Sequence, residues 1–233
     1  HIAGLYSNAS AEAPAPDFVL FVGDNEQIPA FRGTAGSHIT DLPYVCVAGQ
    51  DIIPDILTGR FSAQTVEQLR PQIEKTLYYE KGEFADTSWT QAVVMIAGWD
   101  WSHAVEWGYP QIKYGIKYFF NAAHGLTNVS EFLSAGSSQN EPEIVAKVAA
   151  GATFVNYTAH GSTTSWGDPG FEISDINNLK NEGKYPLVVG NCCLTNSFQV
   201  GTCFGEAWLR ADGKGAIGYI GGTNSTYWDE DLW

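Results

Sequence analysis

Hydrophobic residues along this chain come in short blocks, not long stretches. Five blocks are β-rich and stop abruptly at glycine or polar residues. The block 18–22 stops at Gly23-Asp24, 92–96 at Ala97-Gly98-Trp99-Asp100, and 153–157 at Thr158-Ala159-His160-Gly161. The block 187–189 stops at Gly190-Asn191-Cys192-Cys193, and 216–220 at Gly221-Gly222. Such blocks read as buried, mostly parallel strands. Between them the apolar positions change to helical spacing. Val66, Leu69, Ile73 and Leu77 fall on one face of a helix over 65–79, and 111–120, 141–150 and 203–210 follow the same period. The first dozen residues, up to Pro14 and Pro16, read as a loop. Alternating strand and helix predicts an α/β three-layer sandwich, a mostly parallel sheet flanked by helices. It divides into a partial first α/β subdomain over 1–90 and a second over 91–233. Ligands bind such sheets at the carboxyl ends of the strands. Here those ends carry Asp100, His160-Gly161 and Asn191-Cys192-Cys193.

Composition narrows the partners. The 233 residues carry 26 acidic and 12 basic side chains, a formal net charge of −14. That argues against nucleic acid and against an anionic membrane surface, since both need a basic face. A cationic substrate is compatible with it. No apolar run is long enough to span a bilayer. The 44% hydrophobic content excludes a disordered chain. Abundant Gly, Trp and Tyr with sparse Lys and Glu lean towards a secreted or surface protein. Cys46, Cys192, Cys193 and Cys203 form no evident disulfide framework, and neither CxxC nor HExxH is present to suggest zinc.

A thiol acts as a nucleophile in its thiolate form, which a nearby histidine can sustain. Cysteine peptidase chemistry therefore needs Cys and His at the ends of neighbouring strands, with backbone N–H groups aimed at the developing oxyanion. Cys193 and His160 meet the first condition, and Gly161 allows a substrate carbonyl to come close to the backbone. Taken singly, a strand-end histidine is more often a satisfied polar residue, and a buried cysteine a small hydrophobe.

The segments Tyr157-Thr158-Ala159-His160-Gly161-Ser162, Trp166, Gly190-Asn191-Cys192-Cys193 and Cys203-Phe204-Gly205-Glu206 resemble the gingipain cysteine peptidases. Ile112-Lys113-Tyr114-Gly115, His124-Gly125 and Tyr227-Trp228-Asp229-Glu230-Asp231 continue the likeness, on the lysine-specific side of that family. The resemblance implies a caspase-like catalytic domain secreted by a bacterium or held at its surface. Cys193 matches the nucleophile, His160 the catalytic histidine and Asp100 the acid that orients it. The N–H groups of Gly161 and Cys193 match the oxyanion hole. Cys192 should point away from Cys193, because side chains alternate along an extended segment.

The same resemblance implies protein or peptide substrates with Lys at P1. Tyr227 and Trp228 would wall the pocket, Asp231 would form its base, and Thr158 and Asn191 would contribute less. Arginine-specific relatives carry their pocket acid where this chain has Gln111, although Glu106 could admit Arg. The chemistry requires no cofactor. Structural calcium is implied by resemblance alone, with Asp24, Glu26, Asp51 and Asp55 as oxygen donors of suitable hardness. Relatives continue beyond Trp233, so a further C-terminal segment or a second chain is expected to complete the domain. An Arg-directed or dual-specificity peptidase, and an inactive caspase-like binding or adhesin module, are the competing readings.

Overall fold

The computed structural model describes residues 1–36, 38–133 and 140–227. The first helix, α1 (Ile2–Ser7), lies where a loop was expected. Strand β1 (Phe18–Val22) follows, then the short pair β2 (Phe31–Arg32) and β3 (Ile39–Thr40), then β4 (Leu57–Phe61). β1 and β4 pair in parallel as a two-stranded sheet. Helix α2 (Val66–Lys81) starts at Thr65, whose side chain accepts the Gln68 N–H, and ends at Gly82 in the left-handed region at φ 66°.

The second half builds β5 (Ala92–Ala97), α3 (Tyr109–Tyr118), β6 (Asn128–Phe132), α4 (Glu141–Ala150) and β7 (Phe154–Thr158). After these come the hairpin β8 (Ser165–Trp166) and β9 (Phe171–Glu172), α5 (Ile173–Asn178), β10 (Leu187–Asn191), α6 (Phe204–Arg210) and β11 (Gly218–Gly221). The main sheet has the order β11-β10-β7-β5-β6, and every neighbouring pair is parallel. All six residues of β5 are buried, as expected of a central strand covered on both faces. On one face the core is aromatic: Trp166 stacks on Tyr157 with centroids 4.6 Å apart, and Phe171, Phe204 and Trp208 close around it.

The expected boundary at 90/91 falls in the turn Ser88–Gln91, just before β5. Buried polar contacts cross it. Arg210 of α6 bonds Asp24 Oδ2 at 3.0 Å, Glu206 Oε1 at 2.7 Å and the Ser62 carbonyl at 3.0 Å. The Ser62 hydroxyl also reaches Glu206, at 2.5 Å. Apolar side chains are exposed beside these joins: Phe18, Leu20 and Val22 on β1, Leu57 on β4 and Ile220 on the edge strand β11. Among the described residues, no helix is long and apolar enough to cross a membrane.

Candidate active site

Strand register sets the geometry. β7 lies between β5 and β10, and Thr158 is level with Ala97 on one side and Asn191 on the other. His160 and Cys193 each lie two residues beyond that row, and Asp100 three. Sheet pairing therefore delivers all three side chains to the same edge from distant parts of the sequence.

His160 Nε2 and Asp100 Oδ2 are 2.5 Å apart. Asp100 is buried, whereas about half of the His160 side chain is exposed, so the pair stands at a surface rather than in the core. The other oxygen, Oδ1, accepts the N–H groups of Ser102 at 2.7 Å and His103 at 2.8 Å, and contacts His103 Nδ1 at 3.0 Å. Burial alone would push the Asp100 carboxyl up. The hydrogen bonds from His160, Ser102 and His103 outweigh it and hold the group well below the ordinary carboxylate value. A depressed folded value means that these bonds stabilise the protein above pH 3.8, the ordinary value, and that the contribution is lost as acid protonates the folded carboxyl below it. The stability advantage over Asp100→Asn should therefore shrink as pH falls below 3.8, which urea unfolding across an acid series measures.

The loop carrying His160 is anchored from beneath. The buried Tyr157 hydroxyl donates to the His160 carbonyl at 2.8 Å and accepts the N–H groups of Gly167 and Asp168, both at 3.3 Å. Gly167 N–H also bonds the His160 carbonyl, and Ser162 N–H bonds Ser165 O. Those two bonds flank the Gly161–Trp166 pair, which is therefore a non-hydrogen-bonded pair of this small ladder. The ladder leaves the Gly161 N–H unused. On the neighbouring loop, Cys192 N–H bonds Gly190 O and Leu194 N–H bonds Asn224 O. Among the described residues, the Cys193 N–H between them makes no hydrogen bond.

The two loops meet at Gly161. A Cβ placed there would lie 2.8 Å from both Cys192 Sγ and the Cys193 carbonyl oxygen, closer than real Cβ contacts allow. Gly161→Ala should force the histidine and cysteine loops apart and lower kcat/KM by about 10²-fold, the scale of an ångström-level misplacement, with little change in melting temperature. Steady-state kinetics beside a thermal melt check this.

All four cysteines are free thiols. Cys192 is fully buried, and burial pushes its thiol up to about 12, partly offset by a contact with Thr195 Oγ1. Cys193 is partly exposed and sits beside Thr226, whose N–H is 3.4 Å from Sγ. The two side chains thus point to different environments, although the segment is a bend after β10 and not an extended strand. Burial also raises Cys203, which caps α6.

The pocket residues are only partly in view. Thr158 is buried and its hydroxyl faces Asn156 Nδ2 at 3.4 Å. Asn191 lies level with it on β10, and Tyr227 is exposed. Trp228 and Asp231 lie outside the described residues. Gln111 is half-buried on α3 and Glu106 is exposed. His103 and Thr226 belong to the site's surroundings without having been anticipated, and Tyr157 appeared only as part of the quoted motif with no role, because these contacts come from folding.

Asp24, Asp51 and Asp55, three of the acids that resemblance suggests as calcium donors, make hydrogen bonds within the protein. Asp24 is committed to Arg210, Asp55 accepts the N–H groups of Val47 and Ala48, and Asp51 accepts that of Ile53. Among the described residues, no group of three His, Cys, Asp or Glu side chains is placed to hold a metal.

A cysteine and a histidine–aspartate pair at the same carboxyl edge of a parallel sheet are the arrangement expected of the cysteine peptidase class. The sequence pattern of Peptidase family C25 matches residues 1–231, and the chain belongs to that family. It is 41% identical over 229 residues to a Lys-gingipain of Porphyromonas gingivalis, covering 98% of this chain and 13% of that protein. A solved structure described as a protease superposes with a TM-score of 0.90 at 39% identity, covering 98% of this chain and 50% of that one. The crystal structure of the Arg-specific cysteine proteinase gingipain R superposes at 0.82 with 26% identity, covering 97% of this chain and 52% of that one. The chain thus spans about half the length of the solved structures it matches, and a smaller share of the curated relative.

Proposed function

We propose that this chain carries the catalytic centre of a secreted or cell-surface cysteine endopeptidase that cleaves after Lys. The observation that carries the reading is the His160–Asp100 contact at 2.5 Å, at the same sheet edge where β10 leads into the Cys193 loop. With Nε2 donating to Asp100, Nδ1 is the nitrogen that exchanges protons with the thiol. It takes the Sγ proton as sulfur attacks the scissile carbonyl. The N–H groups of Gly161 and Cys193 stabilise the resulting oxyanion. The imidazolium then protonates the leaving amine, and a thioester remains on Cys193. Water adds to the thioester as His160 takes its proton, the C–S bond breaks to release the product acid, and the freed Cys193 sulfur regains the proton from His160. No step requires a metal or cofactor.

Preference for Lys is supported by the higher identity to the Lys-gingipain than to the Arg-specific structure, and Gln111, where the resemblance implies an acid in Arg-specific relatives, agrees with it. The pocket would combine Tyr227, Trp228, Thr158 and Asn191 as walls with Asp231 as its base. A Lys side chain suits it, being an apolar stem with a compact charged head. The exposed apolar residues on β1, β4 and β11 support a further reading, that additional chain covers these strands in the complete protein. An isolated 233-residue chain that is monomeric, cooperatively folded and fully active would refute it.

The central test pairs two fluorogenic substrates differing only in Lys or Arg at P1, with mass mapping after a Lys-directed chloromethyl ketone. Faster Lys cleavage and a label on Cys193 are expected. Preferred Arg cleavage would make the enzyme Arg-directed. An absent label, with no turnover of either substrate, would favour an inactive binding module.

A further inference from the structure

Among the described residues, Thr226 holds Cys193 Sγ from outside its own loop. The Thr226 N–H donates towards it at 3.4 Å, the Thr226 hydroxyl stands at 3.7 Å, and the Thr226 carbonyl oxygen is also 3.7 Å away. These atoms suit both states of the sulfur. The carbonyl accepts from S–H when the thiol is neutral, while the N–H and the hydroxyl donate to a thiolate.

The placement is built, not incidental. Thr226 follows β11, and the preceding residues run along the cysteine loop. Leu194 N–H bonds Asn224 O at 3.1 Å, Asn196 N–H bonds Gly222 O at 2.9 Å, and Ser197 Oγ bonds Thr223 O at 3.2 Å. Leu194, immediately after the cysteine, has a left-handed φ of 61°, which a leucine adopts only when its surroundings require it. The post-β11 segment and the cysteine loop therefore fix one another, and the outcome is a sulfur facing Thr226.

We infer that Thr226 is a catalytic residue of this site, its hydroxyl acting with its N–H to favour the thiolate of Cys193. The inference rests on Cys193 being the nucleophile. It adds to His160, which takes the proton, a group that stabilises the charge left behind. A donor to an anionic sulfur favours the charged form and lowers the pH at which it appears. Removing the hydroxyl alone should therefore shift reactivity without disturbing the fold, because Thr226 is only partly buried and Val preserves its shape.

The experiment uses the full-length peptidase and iodoacetamide, a small neutral alkylator that needs no P1 pocket. Its rate is followed across pH, with peptide mapping to identify the modified cysteine. Thr226→Val should slow alkylation of Cys193 about threefold on the acid side of the profile, and Thr226→Ser should restore it. On a Lys substrate, kcat should fall with KM little changed. Thr226→Ala, which also lacks the hydroxyl, must reproduce the slowing seen with Val, so a folding defect peculiar to Val cannot decide the result. Profiles for Val and Ala that superimpose on the unsubstituted enzyme, or a slowing that Ser fails to reverse, overturn the role of Thr226. A label elsewhere than Cys193 in the unsubstituted enzyme overturns the nucleophile assignment itself, a separate outcome.

Discussion

Cys193→Ala is expected to lower turnover of a Lys peptide by about 10⁴-fold or more, the scale seen when a covalent nucleophile is removed. Cys192→Ala is expected to retain activity within about tenfold. The adjacent thiols differ because the backbone sends them to different environments. Cys192 is buried, with its thiol pushed up to about 12, so it is neutral at physiological pH and lacks access to substrate. Its Sγ would lie 2.8 Å from a Cβ at Gly161, so it forms part of the wall against which the histidine loop rests. Trimming it loosens that wall and accounts for the small loss. Cys193 is partly exposed, and like His160 it lies two residues beyond the last paired row of β7 and β10. Each variant is assayed with the Lys substrate and checked by a thermal melt. If Cys192→Ala proves inert and Cys193→Ala active, the nucleophile assignment is reversed.

The main sheet was readable because most of its strands are unbroken apolar runs, and β5 at its centre is buried along its whole length. Observed β5, β7, β10 and β11 begin or end within about two residues of those runs, the usual latitude for such boundaries. β4 and β6 gave no such run. β4 reads Leu57-Thr58-Gly59-Arg60-Phe61 and β6 reads Asn128-Val129-Ser130-Glu131-Phe132, and each is mostly exposed or half-buried. Only pairing with β1 and β5 makes them strands, and pairing is a long-range property. α1 was hidden for a similar reason: none of its residues is buried, so no apolar face marks it. In the site, Asp100, His160 and Cys193 were legible as strand-end residues. The roles of His103, Tyr157 and Thr226 were not, since each residue acts through a hydrogen bond whose partner is identified only once the loops are folded.

Lys75→Met is expected to destabilise the protein by about 2–4 kcal/mol, the cost of stripping buried acceptors of a charged donor. Lys75 sits on α2 but serves α6. It is buried, and its ammonium donates to the carbonyls of Trp208 at 3.1 Å, Ala211 at 3.0 Å and Lys214 at 3.0 Å. The first two are carbonyls at the carboxyl end of α6, which the helix itself leaves unpaired. Methionine fills much the same volume and donates nothing, so packing is retained and the loss reports the hydrogen bonds. The pH dependence gives a second readout. Burial pulls the ammonium down to about 7, with Asp212 acting in the opposite sense. The unfolded chain then binds more protons than the folded one between about 7 and the ordinary value of 10.5. Stability relative to Lys75→Met should accordingly rise with pH across that window. Urea unfolding of both proteins at several pH values tests both parts. A difference below about 0.5 kcal/mol at neutral pH would mean that water replaces the ammonium at those carbonyls, and that α2 and α6 are held together by apolar contact instead.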